Sequence, residues 1–270
     1  MGTRSVLLVL SLAALAACAA CGFSGAGSGG SSSGLDGAAP SLDGGDADAA
    51  PPPLLDGGSD STVTPVDPGF DSSMCTTVID DAFASPPGNW AALDDATIGP
   101  GRAQLTTQDN TAQSGAIWWK SPLSFGARLT VTVDIALTLS GSEGDGIAVG
   151  WVPTTTAYVI GAQGQNYGIC SSGMAGLGAA FDTRDNQLAI LSSFSGVCGT
   201  DSVVTFDALL TAKRFTLEIT PTTLTLTTDN GGMVTRTQSS SPTGQLGITA
   251  STGAKRSGHA ITHVKVVSCP

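Results

Sequence analysis

The sequence predicts an all-β fold, a two-sheet sandwich of jelly-roll type over residues 75–270, and three observations predict it. Apolar residues recur with period two, Gly-rich turns separate the runs, and no stretch of ten or more residues carries an amphipathic helical pattern. The clearest run is 129–139, with every odd position aliphatic and every even one small or polar, as in an antiparallel strand with one buried face. Phe215, Leu217 and Ile219 alternate with Thr216 and Glu218, and Leu224 and Leu226 alternate with threonines. Asp229-Asn230-Gly231-Gly232 supplies the positive φ angles of a tight hairpin. Further strands are expected near 76–79, 103–106, 116–119, 147–152, 179–182, 188–194, 203–206, 246–249 and 261–267. About 196 residues are ample for a core.

The preceding residues read differently. Arg4 is the only charge before Asp36, and it precedes an apolar run, 6–17, too short to span a bilayer as a helix. This is a secretory signal pattern. The run ends in Leu15-Ala16-Ala17-Cys18, which resembles the bacterial lipobox: small residues before a cysteine that is acylated and becomes the mature N-terminus. Cys21 fits less well, because its third preceding residue is Cys18. The alternative is an ordinary signal peptide with both cysteines incidental. Residues 1–17 are thus expected to be the signal and 18–74 a disordered tether. Within 22–74, 42 of 53 residues are Gly, Ser, Asp, Ala or Pro, so no core can form there. Such a coil reaches about 40 Å. Its G-x-S-x-G at Gly30 to Gly34 has no strand, helix or nearby His, so we assign it to chance. The expected location is a bacterial cell envelope, lipid-anchored at the outer membrane or cell surface.

Net charge is −11, from 11 basic and 22 acidic residues. So few cations cannot neutralise a row of phosphates, which excludes nucleic-acid binding by bulk charge. Adsorption to an anionic membrane is excluded likewise, leaving the lipid as the expected membrane contact. The acidity divides unevenly: +1 in residues 1–21, −8 in 22–74 and −4 in the folded part. It belongs mainly to the tether.

Four cysteines lie in the folded part, and they permit three pairings. We favour Cys75–Cys269, because first and last strands are commonly neighbours in such sandwiches, and Cys170–Cys198, which bracket a hairpin. Zinc is the rival use of four cysteines, but there is no C-x-x-C pair.

Catalytic groups are scarce. The chain has two Glu, Glu143 and Glu218, and two His, His259 and His263. On one strand those histidines would lie about 13 Å apart along one face, too far to share an ion, and both are expected at the surface. More informative is 144–186. Asp145 stands in a Gly-flanked turn, Gly164-Gln165-Asn166-Tyr167-Gly168 forms a second Gly-rich loop, and Asn186 closes a third. A carboxylate, backbone amides and a side-chain amide together supply the acceptors and donors that vicinal hydroxyls need.

Here the chain resembles the L-type (legume-like) lectins and their bacterial relatives with the concanavalin A-like sandwich. The resemblance rests on Gly144-Asp145-Gly146-Ile147-Ala148, the Gly164 loop, and Ala180-Phe181-Asp182-Thr183-Arg184-Asp185-Asn186. Asp80-Asp81-Ala82-Phe83, Trp90 and Gln113-Ser114-Gly115-Ala116-Ile117-Trp118 are similar to the family's first strands. It implies a glycan partner, with Asp145 accepting from the sugar, the Gly164 backbone donating, and Asn186 binding both sugar and calcium. Asp182 would be the calcium carboxylate, with the Arg184 carbonyl beside it. Ala180 replaces the family's glutamate, so no transition metal is expected, and Leu191 stands where a second calcium carboxylate often lies. The calcium site is therefore expected to be weakened. Arg184 also replaces a Tyr of the motif, which costs a stacking surface.

Three functions compete. The first is a lipid-anchored, non-enzymatic carbohydrate-binding lipoprotein; the second is a structural or adhesive sandwich that has lost sugar binding. The third is a glycoside hydrolase on the same sandwich, resembling E-x-D-x-x-E; Glu143-Gly144-Asp145 begins that pattern, but Ala148 occupies the acid's place. Trp118 and Trp119 are adjacent, so one is expected to face outward on a strand, as an ordinary exposed aromatic or a protein contact.

Overall fold

The computed structural model describes residues 74–84, 88–124, 126–139, 144–152, 158, 160–173, 175–238 and 244–270. The chain divides into two units, Met1–Val63 and Thr64–Pro270, and every described residue belongs to the second. The expected signal with Cys18, the tether up to residue 73 with its G-x-S-x-G, and Glu143 lie outside the described residues.

Fifteen strands are described: β1 (Thr76–Asp81), β2 (Trp90–Asp94), β3 (Thr97–Gly99), β4 (Arg102–Thr106), β5 (Ser114–Trp119), β6 (Arg128–Leu139), β7 (Gly146–Val152), β8 (Leu177–Asp182), β9 (Gln187–Ser193), β10 (Gly199–Thr205), β11 (Arg214–Ile219), β12 (Thr223–Thr228), β13 (Met233–Thr237), β14 (Gln245–Ser251) and β15 (Ser257–Cys269). They form two antiparallel sheets. One runs β13-β12-β11-β6-β15-β4-β3, with β1 also paired to β15; the other runs β10-β9-β8-β7-β14-β5-β2. This is the two-sheet sandwich that the period-two pattern predicts.

The sheets bury different amounts of themselves. In the first, alternation decides which side is wet: Leu129, Val131, Val133 and Ile135 of β6 are buried, while the residues between them are half-exposed. These meet Ile147, Val149, Trp151, Phe181, Ile190 and Ile248 of the second sheet, whose central strands β7, β8 and β14 are buried on both faces. The outer face of that sheet carries Ala116, Trp118, Ala148, Ala180, Ala189 and Leu191, and Tyr158, Ile160, Tyr167, Ile169, Cys170 and Phe194 pack over it as a second apolar cluster. Small residues are required under this cover. A Cβ on Gly150 would lie 1.9 Å from Ile169 Cδ1. The Cys170–Cys198 disulfide secures the cover, with the β8–β9 hairpin between its cysteines, and Cys75–Cys269 joins the start of β1 to the end of β15.

The cover corrects one expectation. Trp118 does point away from the core, but it is fully buried there, with the Tyr158 ring stacked 6.4 Å away. Trp119 points the other way and packs edge-on to Trp90 at 5.1 Å, so neither is an exposed aromatic patch. Trp90 is held in turn by its Nε1–H donating to Asp81 Oδ2 at 3.0 Å.

A second correction concerns the histidines. The β15 register slips by one residue against β6 between Ile261 and His263, so positions on either side of Thr262 change face parity. His259 and Ile261 point inward before the slip, and Val264 and Val266 point inward after it. His259 is therefore fully buried, while His263 faces out to Asp80, at 2.7 Å from its Nε2. Three strands, β2, β3 and β13, were not expected from the alternation; at five, three and five residues they are too short to show a period clearly. The Asp229–Gly232 turn joins β12 to β13, with Gly231 at φ 101°.

The two sheets come together at Gly115, where an added Cβ would stand 2.0 Å from the Leu105 backbone oxygen. Gly115→Ala is expected to lower stability by at least about 2 kcal/mol, since backbone must move to admit it, and a urea midpoint measurement checks this.

Candidate functional site

Three segments meet at one end of the second sheet: the entry to β7, the Gly164 turn and the β8–β9 turn. Asp145 stands just before β7, where Gly146 at φ 140° passes 2.3 Å, by its missing Cβ, from the Phe181 carbonyl oxygen. The Gly164–Asn166 turn is a single 3-10 turn ending in Tyr167 in the left-handed region. It is pinned by Ser251 Oγ donating to the Gly164 carbonyl at 2.7 Å and Thr249 Oγ1 donating to the Tyr167 carbonyl at 2.7 Å. Gly164 faces Asp145 directly, for a Cβ there would be 3.9 Å from Asp145 Oδ2.

Asp182 organises the third segment. Its Oδ1 accepts from the backbone N–H of Arg184 and of Asp185, each at 2.9 Å, which closes the turn. Its Oδ2 accepts from Tyr167 O–H at 2.7 Å, which ties that turn to the Gly164 loop. Burial pushes the Asp182 carboxyl above the usual range, against the hydrogen bonds that stabilise its charge. Asn186 ends the turn at φ 53°, and its Oδ1 is buried with no hydrogen-bond partner.

The side chain of Arg184 is the group that the motif reading missed. Its Nη1 donates to Asp145 Oδ1 at 3.0 Å, its Nε donates to Asp185 Oδ1 at 3.1 Å, and its Nη2 bonds Asp185 Oδ2. The Gln165 amide lies against the guanidinium, and we assign its oxygen to that side, where it accepts from Nη2 at 2.6 Å and Nη1 at 2.9 Å, because its nitrogen there would face only donors. Asp145 is only 4 % exposed beneath it, so it is a covered carboxylate and not a bare rim. Burial raises its pKa, and Arg184 together with the Gly253 backbone N–H works against that rise.

Calcium fits these residues poorly. It needs about six or more oxygens, usually with several carboxylates. Asp182 already accepts three hydrogen bonds, and Ala180 and Leu191 are buried in the second apolar cluster, so neither position faces the turn as a donor. Among the described residues no group of three or more His, Cys, Asp or Glu forms a metal site. Asn186 Oδ1 is one oxygen in search of a partner, which does not make a calcium shell.

Behind the site lies a buried polar chain with no signal in the sequence. Thr183 Oγ1 donates to the Gly144 carbonyl and also lies 3.4 Å from His259 Nε2. His259 Nδ1 meets Thr106 Oγ1 at 2.7 Å, and Gly144 N–H donates to Ser257 Oγ. The imidazole thus links both sheets to the residues flanking Asp145 and Asp182. Burial pushes its pKa from 6.5 down to about 3. Between those values the unfolded chain holds a proton that the folded chain does not. Stability is then full above about pH 6.5 and falls below it by up to about 1.4 kcal/mol per pH unit. Asp145 and Asp182, both raised, act in the opposite sense near the acid end. His259→Gln is expected to flatten the loss between pH 6.5 and 4.5, read from urea midpoints across that range.

No family model and no curated protein sequence matches the chain. Solved structures do. The exoplasmic/lumenal domain of VIP36, in a form bound to Ca2+ and Man3GlcNAc, superposes with a TM-score of 0.56 at 18% identity over 71% of this chain and 91% of that one. Lectin I-B4 from Griffonia simplicifolia, in a metal-free form, gives 0.55 at 17% identity over 70% and 98%. Arcelin-5, a lectin-like defense protein from Phaseolus vulgaris, gives 0.58 at 12% identity over 72% and 98%. The folded part of this chain has the fold of the L-type, legume-like lectins.

Proposed function

We propose that this protein is a non-enzymatic, lectin-like carbohydrate-binding lipoprotein, displayed at a bacterial cell surface by an acylated Cys18 and the 18–74 tether. The combining site is the cluster of Asp145, the Gly164 turn and Asn186. The observation that carries this reading is the packing of the Gly164 turn on Asp145: three segments distant in sequence place a carboxylate, Gly backbone and an unpartnered amide oxygen at one end of the sheet. The fold supports it, because structures sharing it include a domain solved with Man3GlcNAc. Calcium is left out of the mechanism, since the donors present do not suit it.

The site's own residues account for binding. Asn186 holds an unpartnered oxygen acceptor in its left-handed turn, buried until that turn opens to a ligand, and Gly164 adds no side chain of its own beside Asp145. Asp145 neutralised by Arg184 keeps that approach free of a bare buried charge. A hydrolytic reading lacks support, as Ala148 is buried in the outer apolar cluster where the third carboxylate of such a pattern would stand.

A second reading, a structural or adhesive sandwich that has lost sugar binding, is favoured by one observation: Arg184 covers Asp145. Glycan arrays followed by calorimetry separate the two. The carbohydrate reading expects saturable binding that falls at least tenfold in Asn186→Gly, a variant that keeps the turn because glycine adopts positive φ freely. An array without any glycan above background, or Asn186→Gly and Asp145→Asn both binding as the parent does, rejects it.

A further inference from the structure

The five N–H groups of Arg184 are all taken, and the acceptors are shared among the three segments of the site. One edge of the guanidinium, Nε and Nη2, lies side-on to Asp185 in its own turn. The fork between Nη1 and Nη2 points at the Gln165 oxygen in the Gly164 turn. The remaining Nη1 hydrogen reaches Asp145 at the entry to β7. A planar fork filled on every side has a fixed position, unlike a lysine ammonium. No donor is left over to receive an acidic ligand, so the guanidinium serves the protein's own groups.

Its surroundings make the same point from the acidic side. Asp145 and Asp182 are buried carboxylates close enough to influence one another, which costs free energy unless positive charge or hydrogen bonds compensate. Arg184 supplies the charge to Asp145 through its side chain, and through its backbone N–H it supplies a hydrogen bond to Asp182. One residue therefore serves both carboxylates and joins all three segments. Those are the tasks a bound cation would perform in a cluster of loops: neutralise the acids and hold the segments in register.

We propose that Arg184 is the resident cation of this loop cluster, its guanidinium joining the β7 entry, the Gly164 turn and the β8–β9 turn in place of a metal ion. The brace is a property of the folded chain and stands apart from the glycan reading. Its consequence, that any glycan held there binds without calcium, rests on that reading.

The test uses no sugar, so its outcome is separable from that of the glycan experiment. Calcium titrated calorimetrically into the chelator-treated protein is expected to give no saturable heat, and calcium or chelator is expected to leave Tm unchanged. Arg184→Met, which keeps the stem and removes the charge, is expected to lower Tm by about 2–4 °C or more. It should also speed amide exchange in the 161–168 loop, which the guanidinium braces through Gln165. In Arg184→Ala, ethylguanidinium at millimolar concentration is expected to slow that exchange again, while sodium chloride of equal ionic strength does not. A purely space-filling role would not show that discrimination. Saturable calcium binding that raises the parent's Tm overturns the proposal. So does an Arg184→Met variant with parental Tm and exchange, or rescue by sodium chloride as good as by ethylguanidinium.

Discussion

Everything at the candidate site depends on a sheet being buried on both faces. The second sheet lies between the inter-sheet core and the cover formed by Tyr158, Ile160, Tyr167, Ile169, Cys170 and Phe194, so its central strands β7, β8 and β14 have no wet side. That explains why they read as runs of Gly, Ala and large apolar residues, whereas β6 and β11 alternate. The cover has little secondary structure of its own. It is held by Ile169 and Tyr167 packing on small residues, by hydroxyls of β14 and by the Cys170–Cys198 bond. Because its course is fixed, the Gly164 turn is delivered onto Asp145.

The polar groups at that end form a graded system. Asp182 is held mainly by hydrogen bonds, with the Arg184 charge nearby, Asp145 is compensated by a guanidinium and a backbone amide, and His259 remains uncharged. Each is a different solution to the cost of burying a titratable group. They are not independent: Thr183 lies between Asp182 and Arg184 in the chain, and its hydroxyl contacts both His259 and the Gly144 carbonyl. A change in the imidazole is thereby felt on the residues beside both carboxylates.

Much of this was legible in the residues. The 129–139 alternation appears as β6, the pairs of cysteines that bracket the domain and its middle hairpin are joined, and Asp145 does meet the Gly164 turn. What escaped is what period and spacing do not encode. The slip at Thr262 reverses the face of every residue beyond it, and it alone puts His259 inside while His263 faces out. That one of Trp118 and Trp119 points away from the core was legible, but which one, and the cover that buries it, come from the fold and from a loop without any period. Arg184 was noticed as a replaced aromatic, and its guanidinium became meaningful only once the fold brought Asp145 and Gln165 to it, at separations of 39 and 19 positions.

The Cys75–Cys269 bond gives the domain a mechanical character. Residue 75 is the point through which any pull from the preceding chain enters, and β1 alone, paired only to β15, would peel away strand-first. The covalent link bypasses β1 and passes the load to the end of β15, a 13-residue strand whose hydrogen bonds to β6 run nearly its full length. Peeling β1 from β15 therefore does not by itself release the load. An attachment that enters at one edge of the sandwich is thus anchored in its middle.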